Sequence, residues 1–388
     1  MNKKFLINCQ AVGSWTSLFL FSIFILLSLL SCKKEENVLW IGVAGPMTGD
    51  QAKMGLDITN GATLAVDEWN ERGGILGKKI KIIKGDDRRD PREAVNVANK
   101  FVNEGVVGVI GHFNSSCSIP ASKIYFEFGI PQISPASTNP TLTEQGFDSV
   151  FRVCGRDDQQ GKVGAEFILN ILKKTKIAVL HDKTTYGQGL ADELKKNAEA
   201  LGATTVAYEG IIQGDNDFTA VLTKVKTKNP EVVYFGGIYP EAGLLVKQMR
   251  HLDLDAIFVS GDGVIDPEFI KIGGDATEGT FLSFGPSVEE LPTAKRFIEA
   301  YTKRFGEIGP YSTYAYDATQ ILFTAISRAK TIDGKKVAEA IHNLRYEGAL
   351  GAIEFDEKGD VKIAPYIFWV VKGGKFEPYK PAEPEPST

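Results

Sequence analysis

Six short runs of nearly continuous apolar residues constrain the fold of this chain more than any other feature. They cover residues 38–44, 80–85, 106–111, 176–181, 232–236 and 257–260. A strand with one solvated face alternates apolar and polar residues, so continuous runs predict strands buried on both faces of a parallel sheet. Stretches with helical spacing separate the runs, which predicts a doubly wound α/β architecture.

The predicted helices have recognisable first residues. Asp90 can cap a helix and Pro91 suits its first turn. A second helix is predicted over 240–250, where Pro240 again stands at the start. Further helices are predicted over 293–305 and 312–328, followed by a β-like segment over 349–376.

Length and charge narrow the class of protein. The strand–helix pattern occurs twice, over about 38–135 and 151–285, and 388 residues are too many for one ordinary core. Two α/β lobes are therefore expected. The formal net charge is −5, whereas nucleic-acid binders usually carry a basic surplus, so the charge disfavours that class.

The N-terminus has the pattern of an export signal. Lys3 and Lys4 precede an apolar stretch over 18–30, and Ser31 stands directly before Cys32. We expect a bacterial lipoprotein signal over 1–31, with Cys32 acylated as the first mature residue. The alternative is an uncleaved membrane anchor over 11–30. Both alternatives place the remaining chain outside the cytoplasm.

No pattern of catalytic or metal-binding residues is present in the sequence. It has four histidines and no HExxH, GxSxG, CxxC or P-loop pattern. Cys117 and His112 could form a nucleophile pair, but a structural cysteine is the stronger hypothesis. Asp86, Asp87 and Asp90 could bind a metal, but a loop cluster with a helix cap explains them better. We therefore expect no enzyme activity, no metal and no cofactor. Cys117 and Cys154 are expected to be free.

Three short polar segments, 112–116, 135–138 and 261–263, follow predicted strands. In open α/β sheets, ligands bind beyond the carboxyl ends of the strands. Hydroxyl groups and backbone N–H groups at a helix N-terminus suit a carboxylate, and a facing acid suits an ammonium group. The three segments together predict a binding site for a small molecule with both groups.

Over residues 38–376 the chain resembles the leucine/isoleucine/valine-binding proteins of ABC importers, which are type I periplasmic binding proteins. The matching segments include Gly45-Pro46-Met47-Thr48-Gly49, Pro135-Ala136-Ser137-Thr138, His181-Asp182-Lys183, Tyr234-Phe235-Gly236-Gly237 and Phe355-Asp356-Glu357-Lys358-Gly359-Asp360. The resemblance implies two Rossmann-like lobes joined by three crossover strands. Residues 37–156 and 286–364 would form lobe 1, residues 157–285 and 365–379 lobe 2, and residues 380–388 a disordered tail.

The resemblance also implies a ligand site between the lobes. Ser115 and Thr138 would hold a ligand carboxylate by their hydroxyl groups. Asp262 and a backbone carbonyl in the loop of Ala136 and Ser137 would face the ammonium group. The expected apolar pocket is formed by Met54, Phe113, Tyr186 and Ile238.

Five positions depart from the branched-chain binders that this chain resembles. Met54 and Ile238 stand where those proteins carry tyrosine, although Tyr239 follows Ile238. Arg89 and Asn114 stand where they carry a disulfide-bonded cysteine pair. Asp262 replaces a longer glutamate, which retracts the carboxylate by roughly 1.5 Å.

The resemblance implies a solute-binding subunit that captures an amino acid, with Leu, Ile or Val favoured, and delivers it to a permease. It would be a monomer in the periplasm or at the cell surface, lipid-anchored to a bacterial membrane. Two alternatives stay open at this point. One is a relative that binds amides, urea or aromatic acids, and the other is an extracellular ligand-sensing domain.

Overall fold

The computed structural model describes residues 37–381. The predicted signal over 1–31, Cys32 and residues 382–388 of the predicted tail lie outside the described residues. Within residues 37–381, no helix combines the length and the apolarity that crossing a bilayer requires.

The first sheet has five strands in the order β2-β1-β3-β4-β5. They are Val38–Gly45 (β1), Lys79–Asp86 (β2), Val109–Ile110 (β3), Gln132–Ser134 (β4) and Val150–Arg152 (β5). Strands β1, β3, β4 and β5 run parallel. Their apolar side chains are buried on both faces of the sheet, as continuous runs predict.

Four helices connect these strands: Ala52–Glu71 (α1), Pro91–Asn103 (α2), Ser115–Glu127 (α3) and Thr141–Glu144 (α4). Helix α2 begins as predicted. The Asp90 carboxylate accepts a hydrogen bond of 2.7 Å from the backbone N–H of Arg92, and Pro91 is the first helical residue.

The chain then builds most of a second sheet. Helix α5 (Asp157–Glu166) continues into a π-helical turn, Phe167–Ile171. The following elements are Lys176–His181 (β6), Thr185–Ala200 (α6), Thr204–Gly210 (β7), Thr219–Lys226 (α7), Val232–Gly236 (β8), Tyr239–His251 (α8), Ile257–Ser260 (β9), Pro267–Gly273 (α9) and Phe281–Phe284 (β10). Short 3₁₀ turns occur at Asp262–Val264, Gly274–Thr277, Val288–Glu290 and Pro292–Ala294.

The chain next returns to the first sheet. It forms Lys295–Phe305 (α10), Ser312–Ala329 (α11), Gly334–His342 (α12), Tyr346–Gly348 (β11) and Gly351–Ile353 (β12). Helix α11 packs on α1, since the Trp69 indole N–H donates to Gln320 at 2.8 Å and its ring meets Phe323 edge-on. The first sheet is therefore covered by helices from two distant parts of the sequence.

The last strands, Ile367–Lys372 (β13) and Lys375–Pro378 (β14), join the second sheet, whose order is β14-β13-β10-β9-β8-β6-β7. Strand β13 is antiparallel to β10, whereas β6 to β10 pair in parallel. The chain thus passes three times between two α/β bodies. We call the body with the five-stranded sheet the first lobe and the other the second lobe.

The predicted fold class of two α/β lobes with three crossovers is confirmed, whereas the residue limits of the lobes stay a prediction. The predicted strands over 176–181, 232–236 and 257–260 match β6, β8 and β9. The predicted strand over 106–111 is too long, because β3 has two residues. Gly111 follows it with a φ of 134°, which turns the chain out of the extended conformation.

Candidate functional site

A small cavity lies where the carboxyl ends of β3, β4 and β9 meet. Six of the predicted site residues line it: Phe113, Ser115, Ala136, Tyr186, Ile238 and Asp262. Phe113, Ser115 and Ala136 belong to loops and a helix start of the first lobe. Tyr186, Ile238 and Asp262 follow strands of the second lobe, so the cavity lies between the lobes.

The first-lobe wall presents a helix N-terminus. Helix α3 begins at Ser115, and its cap residue Asn114 also lines the cavity. The Ser115 hydroxyl accepts a hydrogen bond of 3.3 Å from the backbone N–H of Asn139, which ties it to the loop after β4. Unpaired N–H groups and the positive end of the helix dipole favour an anion at this wall.

The loop after β4 is held in place by its own serine side chains. The Ser134 hydroxyl accepts from the backbone N–H of Ser137 at 2.9 Å. The Ser137 hydroxyl donates to the carbonyl of Phe113 at 2.9 Å and pairs with the Ser118 hydroxyl at 2.6 Å. Ser137 is thus hydrogen-bonded inside the first lobe and is not among the residues that line the cavity.

Thr138 and Asp157 form a buried polar pair, and neither residue is among those that line the cavity. The backbone N–H of Asp157, at the start of α5, donates to the carbonyl of Thr138 at 3.0 Å. Among residues 37–381, neither the Thr138 hydroxyl nor either oxygen of the Asp157 carboxylate has a hydrogen-bond partner of normal geometry. Burial raises the pKa of Asp157, which the nearby Thr138 hydroxyl opposes and the charge of Asp262 reinforces.

Asp262 has very different surroundings. Its Oδ1 accepts from the Tyr186 hydroxyl at 2.8 Å, and its Oδ2 accepts from the Tyr311 hydroxyl at 3.0 Å. Burial raises the pKa of Asp262, and the two tyrosine hydrogen bonds oppose that shift. Because Tyr311 precedes α11 in the first lobe, the Tyr311–Asp262 hydrogen bond also links the lobes.

Aromatic and aliphatic side chains close the rest of the cavity. The ring of Phe113 meets that of Tyr311 edge-on, with centroids 5.0 Å apart. Ile238, at the start of α8, faces the cavity from the second lobe. Met54 is fully buried in α1 among the apolar core residues and does not line the cavity.

Two residues of this site were not predicted from the sequence. Tyr311 follows Pro310 and no strand directly precedes it. The rule that ligands bind beyond the ends of strands therefore does not predict Tyr311. Asp157 has the sequence pattern of an acid in the first turn of a helix, which is a common stabilising position. Asp157 does not line the cavity, and only its complete burial without a hydrogen-bond partner of normal geometry distinguishes it from such an acid.

The alternatives based on catalysis find no support in the site geometry. Burial raises the pKa of the Cys117 thiol, which disfavours a nucleophilic thiolate, and Cys117 and Cys154 are both free and buried. His112 instead lies between Asp87 at 2.7 Å and the Tyr125 hydroxyl at 3.0 Å, inside the first lobe. Across residues 37–381, no three His, Cys, Asp or Glu side chains are grouped to hold a metal ion.

Comparison with known proteins identifies the family. The family model described as periplasmic binding protein matches residues 39–375. Leu/Ile/Val-binding protein homolog 1 of Brucella abortus is 46% identical over 330 residues, which are 85% of this chain and 89% of that protein.

Two solved structures share the architecture. A leucine binding protein from Thermotoga maritima has a TM-score of 0.84 at 33% identity, covering 88% of this chain and 98% of that one. A branched-chain amino acid transporter substrate binding protein from Streptococcus pneumoniae, in complex with isoleucine, has a TM-score of 0.81 at 29% identity, covering 88% and 98%. With its two lobes and interlobe cavity, the chain belongs to the periplasmic binding protein family.

Proposed function

We propose that this chain is the solute-binding subunit of an ABC importer and captures a branched-chain α-amino acid between its lobes for delivery to a permease. One observation carries the proposal: the buried carboxyl group of Asp262 lines the same cavity as Ser115 at the N-terminus of α3. An α-amino acid carries an ammonium and a carboxylate on one carbon. A site with acids next to N–H and hydroxyl donors complements that pair of charges.

The ligand carboxylate is assigned to the first-lobe wall. The hydroxyl groups of Ser115 and Thr138 and the first N–H groups of α3 would donate to it. This arrangement is supported by the buried Thr138 hydroxyl, which lacks a partner among the described residues. A carboxylate that accepts several such hydrogen bonds is well compensated for its loss of water.

The ligand ammonium is assigned to the acids and to the carbonyl of Ala136. Asp262 is already hydrogen-bonded by Tyr186 and Tyr311, and a carboxylate can accept a further hydrogen bond from the ligand ammonium. Neither Asp157 oxygen has a hydrogen-bond partner of normal geometry among the described residues, and the Thr138 hydroxyl lies nearby. We therefore place Asp157 with Asp262 as the charge partners of the ammonium group.

The side chain of the ligand would contact Phe113, Tyr186 and Ile238. These walls are apolar except for the tyrosine hydroxyl, which faces Asp262. An aliphatic side chain gains about 25 cal/mol per Å² of buried apolar surface there. The names of the relatives, which refer to leucine, isoleucine and valine, support the same assignment.

The direct test is calorimetric titration of the purified protein. L-leucine, L-isoleucine and L-valine are expected to bind. Leucinamide, which lacks the carboxylate, and 4-methylpentanoate, which lacks the ammonium, are expected to bind far more weakly. Binding of urea, short amides or aromatic acids without binding of amino acids would contradict the proposal. Ser115→Ala should weaken leucine binding, and Ser116→Ala, one residue away and outside the cavity, serves as the control.

We also propose export and lipid anchoring through Cys32. The family's periplasmic location supports export, and the Ser31-Cys32 pattern supports acylation. The full chain expressed in a bacterium should enter the detergent phase on Triton X-114 partition and take up labelled palmitate. Cys32→Ser should abolish the labelling, and an unlabelled wild-type chain would contradict the anchor.

A further inference from the structure

The guanidinium of Arg89, a residue of the first lobe, approaches one carboxylate from each lobe. It follows β2, and its backbone N–H donates to the Asp87 carboxylate at 2.9 Å. The guanidinium Nη1 lies 2.9 Å from Oδ2 of Asp50, which belongs to the same lobe. The same Nη1 lies 3.7 Å from Oε1 of Glu241, which belongs to the second lobe. The Arg89 side chain is only 23% exposed, so these contacts are partly shielded from solvent.

Glu241 is a charged residue that is almost completely buried, since only 1% of its surface is exposed. It lies in the first turn of α8, and its Oε1 accepts from the backbone N–H of Gly214 at 2.8 Å. Its Oε2 has no hydrogen-bond partner among the residues that the structure describes. A buried carboxylate needs a charge partner, and the Arg89 guanidinium that approaches Glu241 comes from the opposite lobe.

A second contact joins the same two segments. The hydroxyl of Tyr239, two residues before Glu241, donates to the backbone carbonyl of Asp50. At the start of α8, Tyr239 therefore contacts Asp50, and Glu241 contacts the Arg89 guanidinium. Neither Arg89 nor Glu241 lines the cavity, so this contact is separate from the groups assigned to the ligand.

We propose that Arg89 and Glu241 are positioning residues whose ion pair holds the lobes closed over the bound amino acid and thereby sets the rate of its release. The proposal rests on the function proposed above. Opening of the cleft would separate Glu241 from Arg89, whereas Asp50 would stay with Arg89 because both belong to the first lobe. The guanidinium would thus remain oriented toward its partner before closure.

This arrangement predicts an effect on release more than on capture. The amino acid must enter while the lobes are apart, and the ion pair is then unformed. Loss of the pair leaves that encounter unchanged but lowers the barrier to opening. Differences in affinity between variants of one site usually lie in the dissociation rate.

The test uses L-leucine as the probe and stopped-flow tryptophan fluorescence to measure both rate constants. Glu241→Gln retains an oxygen for the Gly214 N–H and removes the charge. We expect it to raise the dissociation rate constant roughly three- to tenfold, with little change in the association rate constant. Arg89→Gln should have the same effect, and the double variant should release leucine no faster than either single variant.

Glu209→Gln is the matched control. Glu209 pairs with Lys224 at 2.6 Å within the second lobe, so its loss removes an ion pair without affecting closure. Release from Glu241→Gln and Arg89→Gln at the control rate would overturn the proposal, as would fully additive effects of the two substitutions. Failure of the unmodified protein to bind leucine or any other α-amino acid would instead overturn the proposed function itself, and the closure role with it.

Discussion

At the scale of single residues, two buried acids that interact electrostatically, Asp157 and Asp262, have opposite surroundings. Asp262 receives hydrogen bonds from Tyr186 and Tyr311, whereas Asp157 receives none among the described residues. Two tyrosines therefore fix the Asp262 carboxylate. Asp157 keeps its full hydrogen-bonding capacity for a ligand.

Asp157→Asn is expected to weaken leucine binding about 10- to 100-fold, because a hydrogen bond to a charged group contributes about 1.5–3 kcal/mol. Calorimetric titration measures the loss. Asp158→Asn is the control, because Asp158 is the next residue but pairs with Arg156 at the surface, 2.9 Å away. Unchanged affinity of Asp157→Asn would remove Asp157 from the site and leave Asp262 as the acid that faces the ammonium.

The sequence predicted the site best where a rule connects a residue to a strand end. Ser115, Ala136 and Asp262 follow strands, and the structure places all three at one cavity. Asp157 was missed because its role depends on the absence of a partner, which local sequence does not encode. Ser137 and Met54 follow the same family pattern, but their side chains are directed into the first lobe.

At the scale of elements, the close packing of α1 against α11 requires a residue without a side chain at Gly61. A Cβ at Gly61 would lie 2.1 Å from the backbone carbonyl oxygen of Ser312, the first residue of α11. Backbone atoms cannot rotate away, so a methyl group there forces the two helices apart. Since α11 covers the first sheet, this contact matters for the whole first lobe.

Gly61→Ala is therefore expected to lower the free energy of unfolding by about 1–3 kcal/mol, although alanine normally favours a helix over glycine. Urea denaturation measures the change. Gly164→Ala is the matched control, because its Cβ would meet the movable end of Leu194, at 2.9 Å. Equal stability of Gly61→Ala and the unmodified protein would contradict the predicted steric conflict.

The ends of strands were predicted well where a strand is buried along its length and stays extended to its last residue. Strands β6, β8 and β9 are buried along nearly their whole length, and their ends follow from the apolar runs. Strand β3 ends early because Gly111 adopts a positive φ, which depends on the loop that approaches the cavity. A run of apolar residues in the sequence does not indicate such a local turn.

At the scale of the whole molecule, several buried acids have pKa values above those of exposed carboxyl groups. Burial raises the pKa of Asp57 and Asp182 to about 6, and that of Asp317 to about 7. In the unfolded chain such groups titrate near pH 4. Between about pH 4 and 7 the folded protein therefore binds more protons than the unfolded chain.

The free energy of unfolding is accordingly expected to fall as the pH rises from 5 to 8. The stabilisation that these raised pKa values contribute is complete below about pH 4, and it is lost as the pH rises through about 6–7. Thermal unfolding at the two pH values checks the sign. Asp317→Asn should reduce the slope with pH, even though it weakens the hydrogen bonds from Ala349 and Leu350. A protein that is equally or more stable at pH 8 would contradict the prediction.

The return of the chain to its first lobe has a consequence for biosynthesis. Strands β1 to β5 leave the ribosome long before Gln320 and Phe323, which must pack on Trp69 to cover the first sheet. The nascent first lobe therefore cannot finish folding while most of the second lobe is being made. A chain that stays incomplete for so long is suited to threading through a secretion channel, since its translocation does not require a finished domain to be unfolded.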